Sequence, residues 1–190
     1  LYYVEELTQS LIADKLGVSR STVIRLLQRA RQSGLVTISL GVSPETFAAH
    51  MDTLARSGWK AISIDDFFVW LDGRAKLAEG AFLLTFDDGF LGVHDHAAPV
   101  LRRLGWPATV FLVSALIGQR DTWCATHNPD GHTYPLMDRS QILALREQGF
   151  SFHSHTRYHA DLPTLDDDAL VDQLAGARED LAALLGGPVD

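Results

Sequence analysis

The sequence predicts an α/β chain wound around a parallel sheet, preceded by a small α-helical module. Three observations predict it. From Ser43 onward, short apolar runs alternate with amphipathic stretches, the order expected of strands joined by helical crossovers. One run, Ala81–Phe86 (AFLLTF), is apolar almost without a break, as a strand buried on both faces should be, and leads straight into Asp87-Asp88-Gly89. A second run, Phe150–Ser154, leads into His155, with His159 four residues further on. Folds of this class handle ligands at the carboxyl ends of their strands. Two carboxylates and a spaced histidine pair at two such ends suggest a divalent metal site with a base beside it.

Composition sets the bounds. At 190 residues the chain has room for one or two domains. Its longest apolar run is about eight residues, Phe111–Gly118, far below the roughly 18 needed to cross a bilayer, so no membrane segment is predicted. No secretory leader is visible, which carries little weight because the chain opens on Leu1. The single cysteine, Cys124, rules out an internal disulfide framework. Charge is uneven. Residues 1–40 hold five basic and three acidic side chains, the remainder 11 and 21, within an overall net charge of −8. The acidic bulk is no nucleic-acid surface, so any such contact falls to the first 40 residues.

The helical module comes first in the chain. Thr8–Leu16 reads as a helix, Gly17-Val18-Ser19 as a tight turn, and Ser19 as the N-cap of a second helix running to about Ser33. Val23, Leu26, Leu27 and Ala30 share one face of that helix. Small Ala13, bending Gly17 and apolar Val18, Val23 and Leu26 have the spacing of a helix-turn-helix. Arg20, Ser21, Thr22 and Arg25 then stand at the start of the recognition helix, facing phosphates and base edges. Gly34 ends that helix, and Leu35–Leu40 reads as a strand. The stretch LYYVEELTQSLIADKLGVSRSTVIRLLQRARQSGLV resembles the DNA-binding segment of SorC/DeoR-type sugar-responsive transcription regulators.

In the remainder, Ser43 caps a helix whose first residue is Pro44 and which Gly58 ends. Ala61–Ile64 is a short strand, and Asp65 or Asp66 starts a helix over Phe67–Leu71. Past the two acids a helix covers about His94–Leu104, stopped by Gly105, and Pro107–Val113 is another buried strand. Residues 118–137 form an irregular loop, long enough to suggest a function, and its Trp123 is a candidate for stacking on a sugar. Asp138 caps a helix to about Gln148, the histidine-bearing strand follows, and a last helix spans about Asp166–Leu185. Adjacent Asp87 and Asp88 would point to opposite sides of an extended strand. Both serve one site only if the chain bends there, which Gly89 permits. His153, two residues before His155, shares that residue's side of the strand.

From about Ser43 to Asp190 the chain resembles the polysaccharide deacetylase (NodB-homology) family. The likeness runs through SPETFAAHMDTLARSGW, TFDDG, HAAPVLRRLGWPATVFLV and SHTRYHADLPTL. TFDDG is similar to the family's first motif and His155-Thr156-Arg157-Tyr158-His159 to its second. The resemblance implies a distorted (β/α) barrel, of which this segment supplies the amino-terminal part. It also implies a reaction, removal of N- or O-acetyl groups from an acetylated carbohydrate with the help of one divalent metal ion, Zn2+ or Co2+. By motif position Asp88 is the metal carboxylate, His155 and His159 are the imidazole ligands, and Asp87 is the general base. One carboxylate and two imidazoles leave coordination positions open to water and the acetyl oxygen. His153 stands where the family has a small residue, and reads as a group lining or supporting the site. Thr156 supports the turn between the ligands. His94, Asp95 and His96 look like a metal cluster but fall where the family has a variable, exposed helix start.

The resemblance further implies motifs that the 190 residues do not hold. These are an Arg-Pro-Tyr-Gly stretch, an Asp-Trp stretch and a late histidine acting as general acid. The family's opening strand is likewise not seen, its place taken at Gly41 by the helix-turn-helix. The expectation is two segments, 1–40 and 41–190, with the chain inactive and marginally stable on its own. Location is left open: cytoplasmic if the helix-turn-helix is genuine, exported or in the cell envelope if the deacetylase dominates. The rival reading is a transcription regulator that binds double-stranded DNA and carries a degenerate deacetylase-like sensor.

Overall fold

The computed structural model describes residues 43–124 and 131–189. The helix-turn-helix expectation, with Arg20, Ser21, Thr22 and Arg25, lies outside the described residues.

Helix α1, Pro44–Arg56, starts as its sequence demands. The Ser43 hydroxyl accepts from the Thr46 backbone N–H at 3.3 Å, and Pro44 fills a position that needs no donor. Phe47 and Met51 lie one turn apart on its buried face, with Leu54 packed beside them. Gly58, at φ +82°, takes the turn into strand β1, Lys60–Ile62. Helix α2, Ile64–Leu71, begins earlier than Asp65 or Asp66. Ser63 is its cap, and Asp66 reaches back to the Ser63 N–H at 3.3 Å to complete a capping box. The two acids are first-turn residues at the positive end of the helix dipole, not caps.

The apolar run that reads as one strand is two, β2 (Ala81–Leu83) and β3 (Thr85–Phe86). β2 pairs with β1, whereas β3 pairs with β4, Ala108–Leu112, which pairs in turn with β5, Phe150–Ser154. Leu84, between them, still accepts from the Thr109 N–H at 2.9 Å, so the run stays continuous while the ladder changes sides. Every ladder is parallel, as the alternation predicts, and no closed barrel forms among the described residues.

Helix α3, Ala98–Leu104, ends at Gly105 with φ +66°, as expected, but its approach is a π-helical turn, Val93–Ala97. Pro99 is the physical reason: it cannot donate to the Asp95 carbonyl and would crowd it, and a wider turn gives room. Asp138 and Gln141 form a second capping box at the start of α4, Arg139–Arg146. The long last helix is broken too, into α5 (Asp167–Val171), a π turn (Asp172–Gly176) and α6 (Ala177–Leu185). At that turn a Cβ on Gly176 would lie only 3.1 Å from Nη1 of Arg157, so the glycine makes room for the guanidinium.

The helices cover one face of the sheet. Phe82, Leu84, Phe86, Val110, Leu112, Phe150 and Phe152 pack there on Leu101, Ile142, Leu145 and Leu181, each burial contributing roughly 1.5–3 kcal/mol. The Phe82 ring meets Trp106 edge-on at 5.3 Å. Alternation puts Thr85, Thr109, Phe111, Ser151 and His153 on the opposite face. There the Thr109 and Ser151 hydroxyls lie 2.9 Å apart and the Phe111 ring stands against His153 at 6.0 Å. This more polar face is the one a closed barrel would turn inward.

Candidate active site

Both sequence motifs fall where strands end. After β3 the chain turns hard: the Gly89 N–H donates to the Asp87 carbonyl at 2.9 Å around Asp88, whose φ is +69°. This is a γ-turn of the rare, strained kind. The bend that lets neighbouring acids serve one site is thus made at Asp88 itself, and Gly89, at φ +79°, continues it. Gly89 is also fixed by sterics, because a Cβ there would sit 2.5 Å from Cδ2 of Leu112. Asp87 is exposed and Asp88 half-buried.

After β5, the His155 N–H donates to the Leu112 carbonyl at 2.8 Å and extends the β4–β5 ladder by one residue. The chain then coils back through Thr156 at φ +68° to His159 at φ +58°, and the Thr156 hydroxyl accepts from the His159 N–H at 3.0 Å. The coil is tied from behind. The Ser114 and Ala115 N–H groups donate to the carbonyls of Thr156 and Arg157 at 3.3 and 3.0 Å. The Tyr158 N–H donates to Oε1 of Gln173 at 2.9 Å. The Arg157 guanidinium donates to Asp172 and, at 3.0 Å, to Asp180, which also accepts from the Ser114 hydroxyl at 2.9 Å. Among the described residues, Asp88, Thr156 and His159 are the non-glycine positions with positive φ. Each such conformation costs about 1–3 kcal/mol and persists only where its surroundings impose it.

These two turns bring Asp88, His155 and His159 together. Oδ1 of Asp88 lies 3.3 Å from Nε2 of His155 and 3.4 Å from Nε2 of His159. Both distances are long for hydrogen bonds, and this buried oxygen makes none. One potential ligand atom from each of the three lies within 4.8 Å of the others. Ligand atoms at about 2.0–2.2 Å from a shared ion stand about 3–3.5 Å apart, so the carboxylate–imidazole spacings fit a bound cation. The orphaned oxygen also fits, being a buried polar group that a cation would satisfy. Burial pushes the Asp88 carboxyl above its ordinary pKa; His159 and His155 pull it partly back, while Asp87 and Asp121 push it further up. A cation beside it would favour the carboxylate form.

Other candidates are placed elsewhere. His153 lies against Phe111 and does not join the three-atom cluster. Nδ1 of His94 is 2.8 Å from Oδ1 of Asp95, and neither residue nor His96 joins a metal-binding group among the described residues. Trp123 stacks on His159 with ring centroids 4.2 Å apart and planes 18° from parallel, so His159 occupies one of its faces. Sequence reasoning missed Asp121, which is only 2% exposed. Its carboxylate accepts from the Cys124 and Tyr134 N–H groups and pins the loop that carries Trp123. Burial and then the bond to Asp121 push the Cys124 thiol up to about 11. Position in a long loop was the one signal that pointed towards Asp121.

A parallel β/α sheet with a carboxylate–imidazole cluster at its strand ends defines a class: proteins of the β/α-barrel kind that carry their chemistry at the carboxyl ends of the strands. Residues 74–190 match the polysaccharide deacetylase family model, and the chain belongs to that family. Residues 1–33 match the model for sigma-70 region 4, of helix-turn-helix type. The chain is 28% identical over 141 residues to the "Putative polysaccharide deacetylase YxkH" of Bacillus subtilis, covering 74% of this chain and 46% of that protein. It is 26% identical over 116 residues to the poly-β-1,6-N-acetyl-D-glucosamine N-deacetylase of Staphylococcus epidermidis, covering 60% and 37%. Its amino-terminal end is 50% identical over 40 residues to the sorbitol operon regulator of Klebsiella pneumoniae, covering 21% and 13%. The chain thus spans about half or less of the curated relatives it matches. Among solved structures it is similar to the Streptococcus pyogenes deacetylase PplD in complex with acetate, with a TM-score of 0.65 at 20% identity, covering 78% of this chain and 60% of that one. It is also similar to IcaB from Ammonifex degensii, with a TM-score of 0.64 at 23% identity, covering 82% and 67%. Both likenesses establish the fold, including residues from before position 74.

Proposed function

We propose that the chain carries the metal-binding half of a hydrolase site that removes acetyl groups from an acetylated carbohydrate. Asp88, His155 and His159 would hold one divalent cation, Zn2+ or Co2+, and the observation that carries this is the buried Asp88 oxygen facing two imidazole nitrogens without a hydrogen bond. When bound, such an ion lowers the pKa of a coordinated water and polarises a carbonyl. Exposed Asp87, one residue along the same turn, takes the proton as water attacks the acetyl carbon. The carbon–nitrogen or carbon–oxygen bond to the sugar then breaks as the leaving nitrogen or oxygen takes up a proton, acetate departs and the sugar is left with a free amine or hydroxyl. Thr156 holds the coil that aims both histidines, and His153 lines the inward face of the sheet below them. The S. epidermidis relative makes a polymer of N-acetylglucosamine the first substrate to try.

Equilibrium metal binding is the primary test, since it needs only residues on this chain. The purified protein should take up one Zn2+ or Co2+, lost in Asp88→Ala and in His155→Ala but kept in Asp87→Asn. Equal binding by the wild type and Asp88→Ala would refute the assignment.

A second reading rests on its own observation, the 40-residue likeness to a regulator at the amino-terminal end. Residues 1–40 would form a separate segment that binds double-stranded DNA through Arg20, Ser21, Thr22 and Arg25. Duplex binding that weakens steeply with salt and is lost in Arg20→Ala with Arg25→Ala supports it. No binding at low salt removes it.

A further inference from the structure

The two histidines of the cluster are held differently. His155 is fixed by a ladder bond to β4, whereas His159 lies beyond the coil, tied at its N–H to the Thr156 hydroxyl. What meets its ring is Trp123, face to face at 4.2 Å and 18°. By contrast Phe90 stands 6.1 Å from Trp123 at 57°, and the two imidazoles stand 5.4 Å apart at 40°.

The indole is itself set firmly. Asp121 accepts the backbone N–H groups of Cys124 and Tyr134, and its own N–H donates to the Tyr134 carbonyl at 2.9 Å. The residues flanking Trp123 are therefore anchored through a buried carboxylate, and the Phe90 ring meets the indole at a tilt. Turning the imidazole of His159 out of the plane that directs Nε2 at Asp88 would break the stack. An imidazole whose lone pair is given to a cation is also electron-poor, and indole is the aromatic face that best stabilises positive charge.

We infer that Trp123 is a positioning residue for His159, one that holds the ring in its ligating orientation and favours the cation-bound form. The inference rests on the reading of Asp88, His155 and His159 as a ligand set. Loss of a group that supports a metal ligand typically weakens binding about 10–100-fold. Support through a ring stack belongs at the low end of that range, so Trp123→Ala should bind Zn2+ about tenfold more weakly. Trp123→Phe, which keeps an aromatic face, should stay within about threefold of the wild type.

The experiment measures Zn2+ affinity by chelator competition on the full chain, with the melting temperature of the metal-free protein read alongside. A purely structural role would lower the melting temperature and leave the affinity of the folded fraction unchanged, which overturns the inference. Trp123→Leu keeps apolar bulk without the ring and serves where Trp123→Ala does not fold. Its expected weakening matches that of Trp123→Ala, and wild-type affinity in it overturns the inference. A spectroscopic reading is independent: Co2+ should quench the emission of Trp123, taken as wild type minus Trp123→Phe. If instead Trp123→Ala binds Zn2+ normally but loses affinity for an acetylated chito-oligosaccharide, Trp123 is a sugar platform and the inference fails alone. A wild type that binds no divalent cation removes both this inference and the assignment of the site.

Discussion

At the end of β3, the turn at Asp88 leans on backbone bonds and on the packing of Gly89 against Leu112; at the end of β5, His155 and His159 are set by a network that includes side-chain hydrogen bonds. The first turn is closed by one backbone bond within it, its Gly89 carbonyl accepts from the Met137 N–H at 2.9 Å, and the room for it exists because residue 89 has no side chain to meet Leu112. The second is tied by Thr156 within the coil and by Ser114, Ala115, Gln173, Asp172 and Asp180 from outside it. A contact made by sterics fails abruptly, because a buried methyl group either fits or does not. A lattice of polar ties fails by degrees, since each bond contributes about 0.5–1.5 kcal/mol and the others remain.

Breaking that contrast starts with Gly89→Ala, which has the largest expected effect. A Cβ at 2.5 Å from Leu112, on a backbone at φ +79°, should cost about 2–5 kcal/mol, and cation binding should disappear with the turn. Chemical denaturation measures this, and a wild-type midpoint would show that packing does not set Asp88. Next comes Arg157→Met, which cuts the ties to Asp172 and Asp180 but leaves the backbone bonds of the coil. The chain should still fold, with Zn2+ affinity down about tenfold in chelator competition. A collapse as complete as that of Gly89→Ala would erase the distinction. Thr156→Val removes one bond, to the His159 N–H, and should lower stability by about 1 kcal/mol in the same denaturation assay.

The smallest effect is one of pH. Burial raises the Asp88 carboxyl above its ordinary value of 3.8, so the folded metal-free chain holds that proton more tightly than the unfolded chain. Its stability should therefore fall as pH rises from about 3.8 through the raised value, the opposite of a salt-bridged acid. Asp88→Asn should be more stable than the wild type at neutral pH without metal, with the difference vanishing in acid. Thermal melts across that range check it, and added Zn2+ should reverse the order at neutral pH. Identical melts for both proteins would show that Asp88 carries no burial penalty.

Much of this was readable beforehand where local chemistry decides. Ser43-Pro44, Gly105 and Asp138 punctuate helices as their side chains require, and both motifs lie at strand ends, as the apolar runs before them suggest. Reading failed where a neighbour decides. Leu84 is apolar like its flanks, and only the sheet reveals that the ladder changes sides there. Ser63, Asp65 and Asp66 are all good cap residues, and the capping box chose the first. Arg157 stands inside a motif, but its partners come 15 and 23 residues later on another helix. The stack of Trp123 on His159 joins a long loop to a coil, a pairing no spacing rule encodes.

Leu112 touches both halves of the site: its side chain fills the space beside Gly89 while its carbonyl receives His155. It therefore works as a shim, and its thickness gauges the gap between carboxylate and imidazole. Transplanting the two motifs into another scaffold would need this leucine and its strand as the spacer between them. Trimming it to valine should change the spacing of Asp88, His155 and His159, and with it the affinity of the proposed cation site, without altering any of those three side chains.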